Sequence, residues 1–325
     1  MPSRSEHVSR ITRPAVEVRG LRKTYPGGVE AVKGIDFTVA AGEVFGLLGP
    51  NGAGKSTTVG MLTTAIVPSA GSARVAGFDV AREPLAAREA SSVVFQDPVV
   101  DGALSGLRNL DIHARLWRVD RAVAAQRIGE LAAALGLDGL LDRPVESFSG
   151  GERRRLEIAR ALVSEPDVLF LDEPTVGLDP RIRHELLDVI GGLRDRKEMT
   201  ILLTTHYLDE AERLCDRIAI IHAGEIVALD TPEAFLAALG REIVELRVHG
   251  DPGAALASLL ARGIAGDDAF SVGTTVTVPL HDQTAAHAVA AIQDSGLAVS
   301  AISTRRPTLD DVYLRLTGAR LADAA

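Results

Sequence analysis

The chain has 325 residues, room for one large and one small domain, with 46% hydrophobic residues to bury and 24% charged residues for its surface. A net charge of −9 argues against a broad basic face, so no nucleic-acid partner is expected. The one cysteine, Cys215, excludes an internal disulfide, and with neither a membrane-length apolar run nor an apolar leader at the start, a reducing, cytosolic setting is expected.

Residues 1–14 read as a loose polar tail. From Val16 to about Val39, the alternating pieces AVEVRGL and VEAVKGIDFTV flank PGG (Pro26–Gly28), which predicts antiparallel strands joined by a tight turn. EVFGLLG follows as a buried-type strand running into a glycine loop, then KSTTVGMLTTAI as a helix. The middle, from about Asp97 to Ser164, is helix-rich: ALSGLRNLDIHARLW and AVAAQRIGELAAALGL both show helical spacing of apolar residues. Strands return at DVLFLDEP and TILLTTH, with the helix RIRHELLDVIGGLRDR between them. That alternation means a mainly parallel sheet with helices packed on it. In LDEAERLCDRI, helical spacing puts Leu208, Ala211, Leu214, Cys215 and Ile218 on one face, with Cys215 as a small core residue. Near Gly240 the character changes. The order βαββαβ then predicts a ferredoxin-like α+β unit over 241–318, with a short tail at 319–325.

GPNGAGKST, from Gly49 to Thr57, fits the pattern G-x-x-x-x-G-K-[ST]. Its glycines let the backbone wrap phosphate oxygens, and the following helix start supplies free N–H groups. Lys55 would neutralise phosphates and the Ser56 hydroxyl would ligate Mg²⁺. VLFLDEP drives two carboxylates to the end of a buried strand, where Asp172 is the expected Mg²⁺ partner and Glu173 would polarise the attacking water. His206, at the end of TILLTTH, and Gln96, at the end of VVF, each read equally as structural or as site residues. Their place at the ligand side of one sheet favours the site, with Gln96 able to reach both Mg²⁺ and water. Tyr25, before PGG, is either a surface turn residue or a platform for a base.

SFSGGERRR, from Ser147 to Arg155, is a second loop of this kind. Ser149 is a good N-cap and Glu152 an acid in the first helical turn, so an ordinary capped helix accounts for both. It does not account for two consecutive glycines, which make sense where a ligand approaches the backbone closely.

Together these motifs resemble the ATP-binding subunit of an ABC (ATP-binding cassette) transporter over roughly Val16–Gly240. They are GPNGAGKST (Walker A), Gln96 (Q-loop), FSGGE (signature), VLFLDEP (Walker B), VGLDP (D-loop) and His206 (H-loop), in the family's order. The resemblance implies a P-loop NTPase core over 15–240 with an N-terminal antiparallel β part and a helical subdomain at about 97–164. It implies ATP and Mg²⁺ as ligands, with Tyr25 and the loop Gly49, Pro50, Asn51, Gly52, Ala53, Gly54, Lys55, Ser56 and Thr57 around the nucleotide. It further implies head-to-tail pairing with a second ATP-binding subunit, expected to be a second copy of this chain. Ser149, Gly150, Gly151 and Asp179 of one subunit would then face the nucleotide of the other. The signature departs from the usual form at Phe148 and Glu152, and Arg153–Arg155 are expected to offset the added carboxylate. TLDDVYLRLTG (Thr308–Gly318) looks like the closing motif of daunorubicin-resistance-type ATPases, which serve a separate membrane permease.

The reading is an ATP hydrolase that energises export of a drug, antibiotic or other hydrophobic compound, held at the cytoplasmic side of the membrane by its permease. A DNA-repair relative would carry a long coiled-coil insertion, and a ribosome-acting one usually two tandem ATPase units. This chain shows neither. Export of polysaccharide or lipid is the remaining alternative.

Overall fold

The computed structural model describes residues 14–197 and 199–318. The tails expected at 1–14 and 319–325 lie outside the described residues, apart from Pro14. The chain folds as two compact units, one ending at Ile226 and the other starting at Val227.

The first unit opens with β1 (Val16–Thr24) and β2 (Glu30–Val39), paired antiparallel around the PGG turn. With β4 (Ala70–Val75) and β5 (Phe78–Asp79) they make a four-stranded antiparallel sheet, order β2-β1-β4-β5. Alternate residues of β1, such as Val16 and Val18, are buried, as the alternation predicts for a half-covered sheet.

The second sheet holds the site. Its order is β10-β9-β3-β8-β7-β6, with β3 (Val44–Leu48), β6 (Ser91–Val94), β7 (Val168–Asp172), β8 (Thr200–Thr205), β9 (Arg217–His222) and β10 (Glu225–Asp230). From β9 to β6 every neighbouring pair is parallel. The central β3, β7 and β8 are buried at every residue. Continuous apolar runs such as VFGLL and VLFL are what a parallel sheet covered on both faces requires. All these strands therefore deliver their carboxyl ends to one edge, where open α/β sheets bind ligands.

α1 (Lys55–Leu62) follows β3. It stops before the expected Ile66 because Thr64 turns left-handed (φ 62°) and Ile66 folds back to donate its N–H to the Gly60 carbonyl at 2.8 Å. After α2 (Pro84–Glu89), residues 97–164 form α3 (Gly106–Leu116), α4 (Arg121–Leu135), a short 3₁₀ turn (Val145–Ser147) and α5 (Gly150–Leu162). No strand occurs among them. α6 (Pro180–Lys197) connects β7 to β8, and α7 (Leu208–Leu214) connects β8 to β9.

The face expected to run from Leu208 to Ile218 is interrupted. Helix α7 ends at Leu214, Cys215 is already extended, and Ile218 belongs to β9. Cys215 is nevertheless buried, packed so closely on β3 that a Cβ at Gly46 would lie 2.8 Å from its Sγ.

The second unit begins within β10 and includes α8 (Pro232–Ala237). There α8 packs on α11 (Leu309–Thr317). The sheet is β12-β13-β11-β14, from β11 (Glu242–Val248), β12 (Phe270–Val272), β13 (Thr275–Leu280) and β14 (Val299–Arg305), with every neighbouring pair antiparallel. Helices α9 (Pro252–Ala261) and α10 (Ala285–Asp294) contribute Leu259, Ala288 and Ile292 to a core with Val244, Leu246, Val276 and Val278. The closing motif TLDDVYLRLTG is α11. Thr308 and Asp311 form a capping box, Gly318 ends the helix in the left-handed region, and Tyr313 is fully buried. Both Asp311 oxygens accept from Arg305, at 2.7 Å each.

Candidate active site

Side-chain bulk decides the shape of the first loop. A Cβ at Gly49 would lie 2.2 Å from the Ile221 carbonyl oxygen, and one at Gly54 would lie 2.5 Å from that of Ala31. Gly54 also sits at φ 108°, in the region that favours glycine, directly before α1. Gly49, Pro50, Asn51, Gly52, Ala53 and Gly54 thus wrap the helix start, with Asn51 and Gly52 exposed and Ala53 buried. Lys55 is buried, donates to the carbonyls of Gly49 (2.8 Å) and Pro50 (3.0 Å), and pairs with Glu173 Oε1 at 3.0 Å. Its ammonium lies inside the loop, where phosphate oxygens would meet it.

The carboxylates arrive from β7. Asp172 Oδ1 accepts from the Ser56 hydroxyl at 3.2 Å and from Thr204 Oγ1 at 2.5 Å. A hydroxyl and a carboxylate at this separation fit a small hard cation. Among the described residues no three His, Cys, Asp or Glu side chains gather into a metal cluster. Phosphate oxygens and water would therefore complete the shell, as is usual for Mg²⁺. Gln96 is exposed just beyond β6, the strand next to β7, and so reaches the same edge of the sheet.

Glu173 adopts φ 46°, a left-handed conformation that costs a non-glycine residue about 1–3 kcal/mol. Its N–H is held by Thr204, through the carbonyl oxygen at 3.2 Å and Oγ1 at 3.0 Å. The reversal turns its side chain back towards the loop, one oxygen on Lys55 and the other 3.5 Å from His206 Nδ1. That second contact is too poorly aligned for a hydrogen bond, so the buried Nδ1 keeps an open bonding position beside Glu173. Tyr25 is half-buried at the end of β1, with its hydroxyl 3.4 Å from Thr57 Oγ1, which places its ring beside the first turn of α1.

The second loop is built differently. Ser149 Oγ accepts from the Glu152 N–H at 3.2 Å, and Glu152 Oε2 accepts from the Ser149 N–H at 2.7 Å, a complete capping box. That main-chain hydrogen bond holds the Glu152 carboxyl below its ordinary range. Two expectations change here. Gly151 has a packing reason, because a Cβ there would lie 2.4 Å from Ile182 Cγ2 on α6, while one at Gly150 would make only an ordinary 3.4 Å contact with Leu178. Nor do all three arginines offset Glu152: Arg143 and Arg155 act on it, and Arg154 is buried within the protein. Ser149 and Gly150 are exposed. Asp179 is exposed too, and caps α6 by accepting from the N–H groups of Arg181 and Ile182 at 3.1 Å each.

Sequence reasoning missed several residues of this region. Thr204 holds both Asp172 and Glu173. Glu210, fully buried and with its carboxyl raised by burial, accepts from Thr175 and from Thr205 Oγ1, the latter at 2.7 Å. It thereby ties the turn after Glu173 to the end of β8. Hydroxyl residues inside the otherwise apolar run TILLTTH were the available signal.

Residues 32–176 match the family model described as ABC transporter. The chain is 43% identical over 310 residues to the daunorubicin/doxorubicin resistance ATP-binding protein DrrA of Streptomyces peucetius, covering 94% of this chain and 92% of that one. It is 38% identical over 319 residues to the Nod factor export ATP-binding protein I of Ralstonia nicotianae, covering 95% and 96%. Among solved structures, cbiO1 from Clostridium perfringens, part of the transporter complex cbiONQ, superposes with TM-score 0.64 at 29% identity. That match covers 69% of this chain and 91% of the other.

Proposed function

The chain belongs to the ATP-binding subunits of ABC transporters, ATPases that work with Mg²⁺, and we propose that Lys55, Ser56, Asp172, Glu173, His206 and Gln96 form its hydrolytic centre. The observation that carries the assignment is the convergence on Glu173: strand β7 presents it one residue after Asp172, Lys55 meets one of its oxygens, and His206 lies near the other. Bound Mg²⁺ would be held by Ser56 and Asp172 and would offset charge on the phosphates. Lys55 and main-chain N–H groups of the loop and the start of α1 bind the phosphates, and Tyr25 offers its ring to the base. Glu173, once released from Lys55 by the incoming phosphates, orients and deprotonates the attacking water, with His206 and Gln96 fixing its position.

The second half of each site comes from a second copy. Ser149, Gly150 and Asp179 support this reading by their exposed positions, with Gly151 buried directly behind them in the first turn of α5. The work drives export of a drug or another hydrophobic compound through a separate permease, in keeping with the drug resistance for which the Streptomyces relative is named. No described helix is long and apolar enough to cross a membrane. On the proposed reading, the chain is held at the cytoplasmic face by that permease. A cavity of about 280 Å³ bordered by Thr64, Phe95, His113, Trp117 and Arg160 supports docking against the middle segment. Burial and the neighbouring Arg160 lower His113 to about 4, so the ring is neutral there, and His113 Nε2 and Arg160 Nε are without hydrogen-bond partners. In the second unit, the antiparallel order β12-β13-β11-β14 supports the ferredoxin-like reading.

Glu173→Gln tests the assignment. Steady-state hydrolysis should fall by about a hundredfold or more, with ATP affinity kept and an ATP-bound dimer accumulating on gel filtration. Purified from membranes with ATP, this variant should bring a multi-span permease with it. Normal turnover removes Glu173 from its role, and recovery of ribosomes or DNA instead of a permease overturns the transport reading.

A further inference from the structure

We propose that Arg154, on the helix that begins at the signature loop, is a positioning residue that sets the main chain around Glu173 and Gln96. The side chain is only 7% exposed, and all five of its N–H donors have an acceptor within reach. Nε donates to the Pro174 carbonyl at 2.7 Å. Nη1 donates to the Phe95 carbonyl at 2.5 Å and to Glu157 Oε2 at 2.8 Å. Nη2 lies 3.2 Å from the Asp172 carbonyl and 3.3 Å from that of Glu173. The other oxygen of Glu157 accepts from the Val99 N–H at 3.0 Å, which anchors the segment just past Gln96.

Burying a guanidinium and a carboxylate is costly, and apolar residues of like volume commonly stabilise a fold as well or better. What an apolar pair cannot do is orient four main-chain carbonyls in two separate loops. Those four belong to Asp172, Glu173, Pro174 and Phe95, the last directly before Gln96. The Glu173 residue is gripped from both sides, its N–H by Thr204 and its carbonyl by Arg154, and this grip maintains the left-handed turn that aims the carboxylate at Lys55. Arg154 is also five residues from Ser149 on the same helix, α5. The planar fork tolerates little misalignment, so a shift of α5 when the signature loop is engaged must move the Glu173 and Phe95 peptides with it. One side chain thus links the exposed loop to the two loops that carry Glu173 and Gln96.

The inference rests on the assignment of Glu173 as the residue that activates water, so Glu173→Gln is assayed alongside. Full-length Arg154→Lys keeps a cation for Glu157 but loses the fork, and the pair Arg154→Gln with Glu157→Gln removes both buried charges together. For each, kcat, KM, the affinity for a fluorescent ATP analogue and the melting temperature are measured. The expected result is a split: kcat lower by about tenfold or more, with KM and analogue affinity within about threefold of the parent chain. A folded variant whose kcat stays within about twofold of the parent overturns the inference. So does a parallel loss of affinity, turnover and melting temperature, which is the mark of a plain structural brace. Should Glu173→Gln itself turn over normally, the assignment beneath the inference fails, and the two failures are told apart.

Discussion

The two glycine loops of this protein look alike on paper and differ in what surrounds them. The loop from Gly49 to Thr57 has its cation, Lys55, its hydroxyl, Ser56, and both carboxylates, Asp172 and Glu173, gathered from the same unit and largely buried. The loop from Ser147 to Gly151 has a helix start, an exposed serine and glycine, and a carboxylate occupied in capping. A phosphate site needs charge compensation as well as N–H donors. The first loop owns that compensation. The second offers main-chain donors, the exposed Ser149 hydroxyl and the positive end of a helix, while its nearby Arg143 and Arg155 act on Glu152. On the proposed reading, a phosphate it meets therefore arrives with its cation already bound elsewhere, and two similar glycine loops make one site and one half-site.

The difference is sharpest at Lys55. Lys55→Ala removes the one charged donor inside the first loop, and the loss of two charged hydrogen bonds to phosphate, at about 1.5–3 kcal/mol each, weakens ATP binding by about a hundredfold or more. Turnover vanishes with binding. The change also leaves Glu173 buried without its cation, so Lys55→Ala combined with Glu173→Gln serves as the control for folding. Isothermal titration with ATP checks it, and retained affinity would mean that the first loop does not own its charge compensation.

Ser149→Arg should behave in the opposite way. It fills the exposed loop with a long side chain and removes the N-cap, which costs about 1 kcal/mol of stability. ATP affinity of the single chain should stay within about threefold of the parent, because every group on the first loop is untouched. Hydrolysis and ATP-dependent dimerisation should both be lost. Turnover within about twofold of the parent would reduce the second loop to a helix cap and erase the contrast.

How much of this was visible in the sequence follows from the range of each interaction. The parallel strands, the helix-rich middle and the loop from Gly49 to Thr57 are written in local periodicity and spacing, and the structure gathers Lys55, Ser56, Asp172, Glu173 and His206 at one edge of the sheet. Local pattern could not show that helix α7 stops before Cys215, since the apolar spacing continues smoothly into β9. It could not show α11 either, although Thr308 and Asp311 stand at capping-box spacing before an apolar stripe. Thr204, Glu210 and Arg154 were missed for another reason. Their partners lie on strands and turns distant in sequence, and only the assembled sheet brings them together. Arg154 and Glu157 left one trace, two charges on a helical face shared with Ile158 and Ala161, and a capped, solvated helix start was the simpler account of them.

The smallest effects separate packing from ligand contact within the second loop. At Gly151 an added methyl meets Ile182 Cγ2 at 2.4 Å, so α5 and α6 must shift apart or Ile182 must turn. Overpacking of this kind costs about 1–3 kcal/mol, offset in part by the better helix propensity of alanine, about 1 kcal/mol. Gly151→Ala should therefore lower the melting temperature by a few degrees. At Gly150 the methyl meets Leu178 at 3.4 Å, an ordinary contact, and the residue is exposed. Gly150→Ala should leave stability unchanged or raise it by about 0.5 kcal/mol through the unfolded chain. Gly150 nevertheless lies exposed in the loop proposed to meet a partner's nucleotide, so turnover should drop about threefold to tenfold with no loss of stability. Thermal melts and hydrolysis rates for the two variants decide the matter. If only Gly151→Ala has an effect, the paired glycines exist for helix packing and the half-site reading loses its main-chain support. If Gly150→Ala slows turnover in a chain as stable as the parent, one glycine serves the fold and the other serves the ligand.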